Sequence, residues 1–225
     1  KYHLPYKKDP KNLGYFKQSI FQSIHLDKRN YDLVILAAVK PDCFKSYIKL
    51  APSIAKNIPV ICLDGGDRPE LGGDLERLDE PTLFNEAREI RDFDLIFKRE
   101  MKLNRSYETN VLPLTFGFNL SCLPNSLERV KKYDVAFWAG ESHPIRSKAF
   151  ELLKNKFDCD SNGTTKGVDL ESFSRKGKLY LEELSACKIN LSLRGGGFDT
   201  LRYWEVPAVG SMLLSEPTDI KIEND

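Results

Sequence analysis

The sequence predicts an α/β protein with two Rossmann-like halves, each built on a parallel sheet. Short, nearly continuous apolar runs alternate with amphipathic helical segments, which is the pattern of βαβ units. A polar break, Ser121-Cys122-Leu123-Pro124-Asn125-Ser126, separates two such series. The second series ends in a strand, a triple glycine (Gly195-Gly196-Gly197) and a helix. Sheets of this kind bind ligands beyond the carboxyl ends of their strands.

Asn12 to Ile24 carries Phe16, Ile20 and Ile24 at four-residue spacing, which predicts a helix. Tyr31 to Ala38 is a nearly continuous apolar run, expected to be a strand buried on both faces. Cys43 to Lys56 predicts a helix with Phe44, Tyr47, Ile48 and Ile54 inward, and Pro59 to Asp64 a second buried strand. Asp64-Gly65-Gly66-Asp67-Arg68-Pro69 then leaves that strand as a polar loop, open to two readings: a solvated turn or one side of a cleft. A helix from about Glu80 to Ile90 leads to a strand over Phe93 to Lys98. Val111 to Phe118 is a short apolar piece, which Pro113 confines to an edge or outside the ladder.

The second series opens with a strand, Tyr133 to Gly140, and a helix, Ile145 to Lys154. Phe157 to Asp160 is a short piece and Ser161 to Lys178 a polar loop. Tyr180 to Cys187 predicts a helix. Ile189, Leu191 and Leu193 alternate as a strand does, and Met212 to Leu214 is expected to be the next buried strand. Between them Asp199 is a plausible N-cap for a helix whose apolar positions are Leu201, Trp204 and Ala208 and which Gly210 ends. Pro207 requires that helix to be short or kinked, because an interior proline costs about 3 kcal/mol. The expected division is residues 1–122 and 123–225.

The 225 residues can hold one large or two small domains. A content of 41% hydrophobic and 30% charged residues is that of a globular protein, and a net charge of +1 gives no reason to expect nucleic acid as a partner. No apolar run approaches the roughly 20 residues needed to span a bilayer, and the basic N-terminus lacks the apolar core of a signal peptide. Cys43, Cys62, Cys122, Cys159 and Cys187 are odd in number and never form a C-x-x-C pair. That speaks against a disulfide framework or a zinc site and for a cytoplasmic location. Cys62 and Cys187 are expected to act as small hydrophobes.

A strand, a glycine loop and a helix N-terminus together form an anion-binding device, since bare amides and the positive helix end face the crevice. Arg202 adds a fixed charge and Glu205 a carboxylate about one turn on, a combination that suits a nucleoside diphosphate. Asp199-Thr200-Leu201-Arg202-Tyr203-Trp204-Glu205-Val206-Pro207-Ala208-Val209-Gly210, followed by an apolar strand and Ser215-Glu216, resembles the donor-binding segment of GT-B glycosyltransferases, in particular the CgeB-like branch and its group 1 relatives. The close match covers about thirty residues, and the remainder agrees only in the order of its elements. The resemblance implies two Rossmann-like domains facing a cleft, with the acceptor-side domain at 1–122 and the nucleotide-sugar-binding domain at 123–225. Relatives continue with another helix where this sequence stops, which leaves two readings: a fragment, or a chain that lacks the family tail. Glu205 matches the carboxylate that holds the donor ribose; many relatives carry a further acid eight positions earlier, where this chain has Gly197.

The donor-binding residues expected on this basis are Ser142, Arg146, Arg194, Gly195, Gly196, Gly197, Arg202 and Glu205. Arg146 opens a helix behind Pro144, where relatives often place a phosphate-contacting cation; as a plain residue it could equally be a surface arginine. Tyr203 and Trp204 are read as core, and Asp199 as structural. His143, Asp64 and Asp67 are the candidates for a catalytic base. Asp92-Phe93-Asp94 and Asp158-Cys159-Asp160 have metal-binding spacing but lie at a strand start and in a polar turn, so neither metal nor cofactor is expected beyond the nucleotide-sugar substrate. The function expected is transfer of a sugar from that donor to an unidentified acceptor. The alternatives are a non-catalytic nucleotide- or sugar-binding module and a dinucleotide oxidoreductase. Against the oxidoreductase, Ala37-Ala38-Val39-Lys40-Pro41 replaces the G-x-G-x-x-G turn.

Overall fold

A computed structural model describes residues 31–38, 40–127, 130–136, 140, 142–153, 156–157 and 177–222. The expected helix at 12–24, the strand end at 137–139, residues 158–160 and most of the polar stretch 161–178 lie outside them. The described elements are β1 (Val34–Ala38), α1 (Pro41–Leu50), β2 (Val60–Asp64), α2 (Leu83–Ile90), β3 (Leu95–Lys98), β4 (Val111–Pro113), β5 (Tyr133–Ala136), α3 (Pro144–Leu153), α4 (Gly177–Ser185), β6 (Cys187–Ser192), α5 (Leu201–Ala208) and β7 (Met212–Ser215). One sheet has the order β1-β2-β3-β4 and the other β5-β6-β7. β1 runs parallel to β2, and β6 runs parallel to both β5 and β7. The chain is therefore an α/β protein with two parallel sheets, the first ending at Pro113 and the second starting at Tyr133. It divides into two compact units, Lys1–Asp64 with Gly72–Ile96, and Gly65–Leu71 with Phe97–Asp225.

In the first unit, Pro41 starts α1 at the position where a missing N–H costs nothing. Pro52 stops it short of the expected Lys56, and the chain continues as a 3-10 turn over Ala51–Ser53. Phe44 and Tyr47 of α1 are buried, as are Phe84 and Ala87 of α2, with Ile54 and Phe93 beside them. The rings of Phe44 and Phe84 meet at 5.8 Å, and those of Tyr47 and Phe93 at 5.2 Å. Ile48, expected inward, is only half-buried. β2 alternates, burying Val60, Cys62 and Asp64. Burial of β1 on both faces does not hold: Ile35 is 53% exposed, and β1 is the edge of its sheet among the described residues. A 3-10 segment, Gly73–Leu78, precedes α2, which begins at Leu83 behind the N-cap Thr82, later than the expected Glu80. Asp92 is tied to Arg88 at 2.7 Å, and Asp94 accepts the Val60 amide at 2.7 Å. This acidic pair is thus used to hold α2 and β2.

In the second unit, β6 is covered on both faces. Leu191 and Leu193 pack with Val135 of β5 against Ile145, Ala149 and Leu153. Leu181, Leu184, Cys187, Val206 and Val209 form the other cluster. Two polar positions of β6, Asn190 and Ser192, are buried as well, a result its alternation does not predict. Asn190 donates to the Leu184 carbonyl at 3.0 Å, and the Ser192 and Thr200 hydroxyls meet at 2.7 Å. β7 was expected to be buried, yet Met212 and Leu214 are 64% and 56% exposed, because it is the edge of its sheet among the described residues.

α5 is two turns long, and Pro207 stands at its penultimate position, so the break is absorbed where the helix ends anyway. Gly210 adopts φ +71°, and the Gly210 and Ser211 amides donate back to Pro207 and Val206, which closes the helix in the left-handed manner. Its buried face is Val206 and Val209, set by α4, whereas Trp204 is half-buried. The N-cap is Thr200, not Asp199.

Candidate functional site

Because β5 and β6 are parallel neighbours, the loops that follow them emerge at the same end of the sheet. That places the His143–Arg146 segment beside Gly195. A Cβ on Gly195 would lie 2.8 Å from the Ser142 hydroxyl and 3.0 Å from Arg146 Nη2. Four of the expected donor-binding residues (Ser142, Arg146, Arg194 and Gly195) thus converge. Arg146 is 8% exposed. Its guanidinium donates to the carbonyls of Gly140 at 2.8 Å, Leu193 at 2.9 Å and Arg194 at 2.9 Å, so it clips the ends of β5 and β6 together. Burial, aided by the charge of Arg202, pulls it down to about 10, which still leaves it cationic at neutral pH.

Arg194 is fixed differently. Its amide donates to Glu216 Oε1 at 2.6 Å, its Nε lies 3.1 Å from Glu216 Oε2, and its guanidinium stacks 4.7 Å from the Phe198 ring. Lys102 Nζ approaches the same ring at 4.5 Å.

Arg202 and Glu205 are joined through Tyr180 of α4, a residue the sequence reading did not single out. Arg202 Nε donates to the Tyr180 hydroxyl at 3.3 Å, and that hydroxyl is hydrogen-bonded to Glu205. Burial pushes the Glu205 carboxyl above its ordinary value, against the opposing pull of Tyr180 and Arg202. The arrangement is a half-buried relay and not the exposed i,i+3 ion pair that spacing alone allows.

The other end of the glycine loop is acidic. Gly196 abuts the Asp67 carboxylate, and Gly197 abuts that of Glu100; a Cβ at either position would collide with that carboxylate unless it moved. Asp67 is ion-paired with Arg99. Arg99 also donates to the carbonyls of Gly65 and Asp199, at 2.8 Å each, and lies 4.4 Å from the Phe116 ring. Asp199 is structural: it accepts from the Phe116 amide at 2.6 Å and from Trp204 Nε1 at 2.9 Å. The Phe198 and Asp199 amides, which follow the triple glycine, donate to Glu100. Sequence reasoning passed over Arg99 and Glu100. The available signal was Lys98-Arg99-Glu100, a charged run at the end of a strand, all three at most 3% exposed.

Of the expected catalytic bases, His143 accepts the Ile145 amide at Nδ1, 3.2 Å away, and so helps start α3. Asp64, in the first unit, is 3% exposed and accepts the Gly72 amide at 2.8 Å. The Asp67 side chain is 36% exposed. Burial pushes the Cys187 thiol up to about 12, which fits a small hydrophobe and not a nucleophile. Among the described residues no group of three acidic, histidine or cysteine side chains is gathered for a metal, and no helix is long and apolar enough to cross a membrane.

No protein-family model and no curated protein matches this sequence. Among solved structures, the chain is similar to an alpha-glucosyltransferase in complex with UDP-glucose and DNA containing an abasic site. The TM-score is 0.51 at 12% identity, over 92% of this chain and 67% of that one. At that identity the likeness is one of architecture. The chain thus has a GT-B-like fold, with Ser142, Arg146 and Gly195 gathered where two of its parallel strands end.

Proposed function

We propose that the protein transfers a sugar from a nucleotide-sugar donor to an acceptor, with residues 123–225 holding the donor and residues 1–122 the acceptor side. The observation that carries this reading is the convergence of Ser142, Arg146, Arg194 and Gly195 beyond β5 and β6, with Arg202 close enough to act on Arg146 electrostatically. Ligands of parallel sheets bind at such strand ends, and a diphosphate among amides calls for cations with forked donors. In the reaction the bond between the sugar's anomeric carbon and the diphosphate oxygen breaks. A new bond from that carbon to the acceptor oxygen forms, and the acceptor proton passes to a base. Arg146, Arg202 and the Gly195 end of the glycine loop stabilise the departing diphosphate without a metal, and Glu205 holds the ribose. Asp67 is the best supported of the three candidate bases, because its partly exposed carboxylate lies against the glycine loop.

A second reading, a non-catalytic nucleotide- or sugar-binding module, is favoured by one observation: Glu100 already occupies two amides of the loop. A thermal-shift panel of UDP, GDP, CDP, ADP and NAD tests both. Stabilisation by a nucleoside diphosphate that disappears in Glu205→Ala is expected, whereas a shift with NAD alone points to an oxidoreductase and overturns the proposal. Release of the diphosphate from a UDP- or GDP-sugar then separates enzyme from module. Duplex DNA belongs among the trial acceptors because the similar glucosyltransferase was solved with DNA, although the net charge of +1 argues against it.

A further inference from the structure

Glu100 lies two residues beyond β3's last hydrogen-bonded stretch, is 2% exposed and holds φ at +60°. For a residue with a side chain that left-handed conformation costs about 1 kcal/mol or more, so the surrounding contacts must over-determine it. Those contacts are specific. Oε2 accepts from the Phe198 amide at 2.9 Å and Oε1 from the Asp199 amide at 2.7 Å, while Arg99 Nη1 stands 3.3 Å from Oε1 as the counter-charge. The carboxyl fills the space that a Gly197 side chain would need. An internal anion therefore sits where the helix-side amides of the loop point.

This gives the triple glycine an electrical polarity. Its Gly195 end touches Ser142 and Arg146; its Gly196–Gly197 end touches Asp67 and Glu100. A diphosphate is attracted to the first end and repelled from the second. Resting on the donor-site reading, we propose that Glu100 is a positioning residue: it locks the Gly197–Asp199 backbone and directs the diphosphate to the Gly195 end of the loop.

The test combines calorimetric melting temperatures with UDP dissociation constants for Glu100→Gln, Glu100→Ala, Gly197→Ala and the Glu100→Ala/Gly197→Ala double variant. Glu100→Gln keeps the size but turns one acceptor into a donor facing an amide, so UDP affinity is expected to fall about tenfold or more. Added formate should restore UDP affinity to Glu100→Ala, and chloride at matched ionic strength should not, because only formate replaces the missing carboxylate. Gly197→Ala should lower the melting temperature of the wild type by several degrees but that of Glu100→Ala by less than half as much, since the colliding group is gone. Strictly additive losses overturn the proposal, as does tighter UDP binding by Glu100→Ala, which would make the carboxylate an obstruction. If the wild type binds none of UDP, GDP, CDP and ADP, the donor-site reading fails, and the melting-temperature coupling alone still decides whether Glu100 holds the loop.

Discussion

Replacing Arg146 with lysine isolates what its fork does from what its charge does. The guanidinium donates to three backbone carbonyls, those of Gly140, Leu193 and Arg194, from three different nitrogens. An ammonium is a single point on a flexible stem and can serve one of these carbonyls while remaining cationic. Two carbonyls then lose a charged partner, each bond being worth about 1.5–3 kcal/mol. Together that is about 3–6 kcal/mol, and the range for breaking a buried charged network by one partner narrows the expected loss to about 3–5 kcal/mol. For a chain of this length each kcal/mol shifts the melting temperature by about 2–4 °C, so Arg146→Lys should melt about 6–20 °C below the wild type. Urea unfolding gives the free energy and calorimetry the temperature. A loss under about 1 kcal/mol would refute the idea that Arg146 clips the ends of β5 and β6, and would leave it a cation awaiting a phosphate.

The raised Glu205 carboxyl has a definite sign in stability. A carboxyl favoured in its protonated form contributes stability below its unfolded value of 4.5, and the contribution is lost as pH rises through the higher folded value. Glu205→Gln should therefore gain on the wild type in urea titrations as pH rises above 4.5; a difference that does not change with pH would contradict the burial argument. Two glycines separate backbone strain from crowding. Gly210 has φ +71° with open space around it, so Gly210→Ala should cost about 1 kcal/mol. Gly72 combines φ +65° with a Cβ position only 2.5 Å from Phe84 Cβ, so Gly72→Ala should cost at least twice as much by the same measurement.

Local patterns in the chain made most elements legible. Phe44, Tyr47 and Ile54 fall on the buried side as their spacing demands, Pro113 ends an edge strand, and Pro144 opens α3. Burial was read less well, because it depends on which element lies alongside. Ile35, Met212 and Leu214 have the composition of central strands and stand on edge strands, whereas Asn190 and Ser192 are polar and completely covered. The same distinction divides the site. The stretch from Gly195 to Glu205 was visible as a loop and a helix start, but its partners Tyr180, Asp67 and Glu100 come from segments remote in sequence.

The order of residues alone determined that strands and helices alternate, that two sheets form, and that a glycine loop lies between β6 and α5. Periodicity, proline and glycine act over a few neighbouring residues, so those features need nothing beyond the local chain. Only the tertiary structure decided that Arg146 spends three donors on carbonyls, that Tyr180 joins Arg202 to Glu205, and that the amides ahead of α5 hold Glu100. A side chain's role there depends on which distant group reaches its hydrogen-bonding atoms first, and that is fixed by packing and not by spacing.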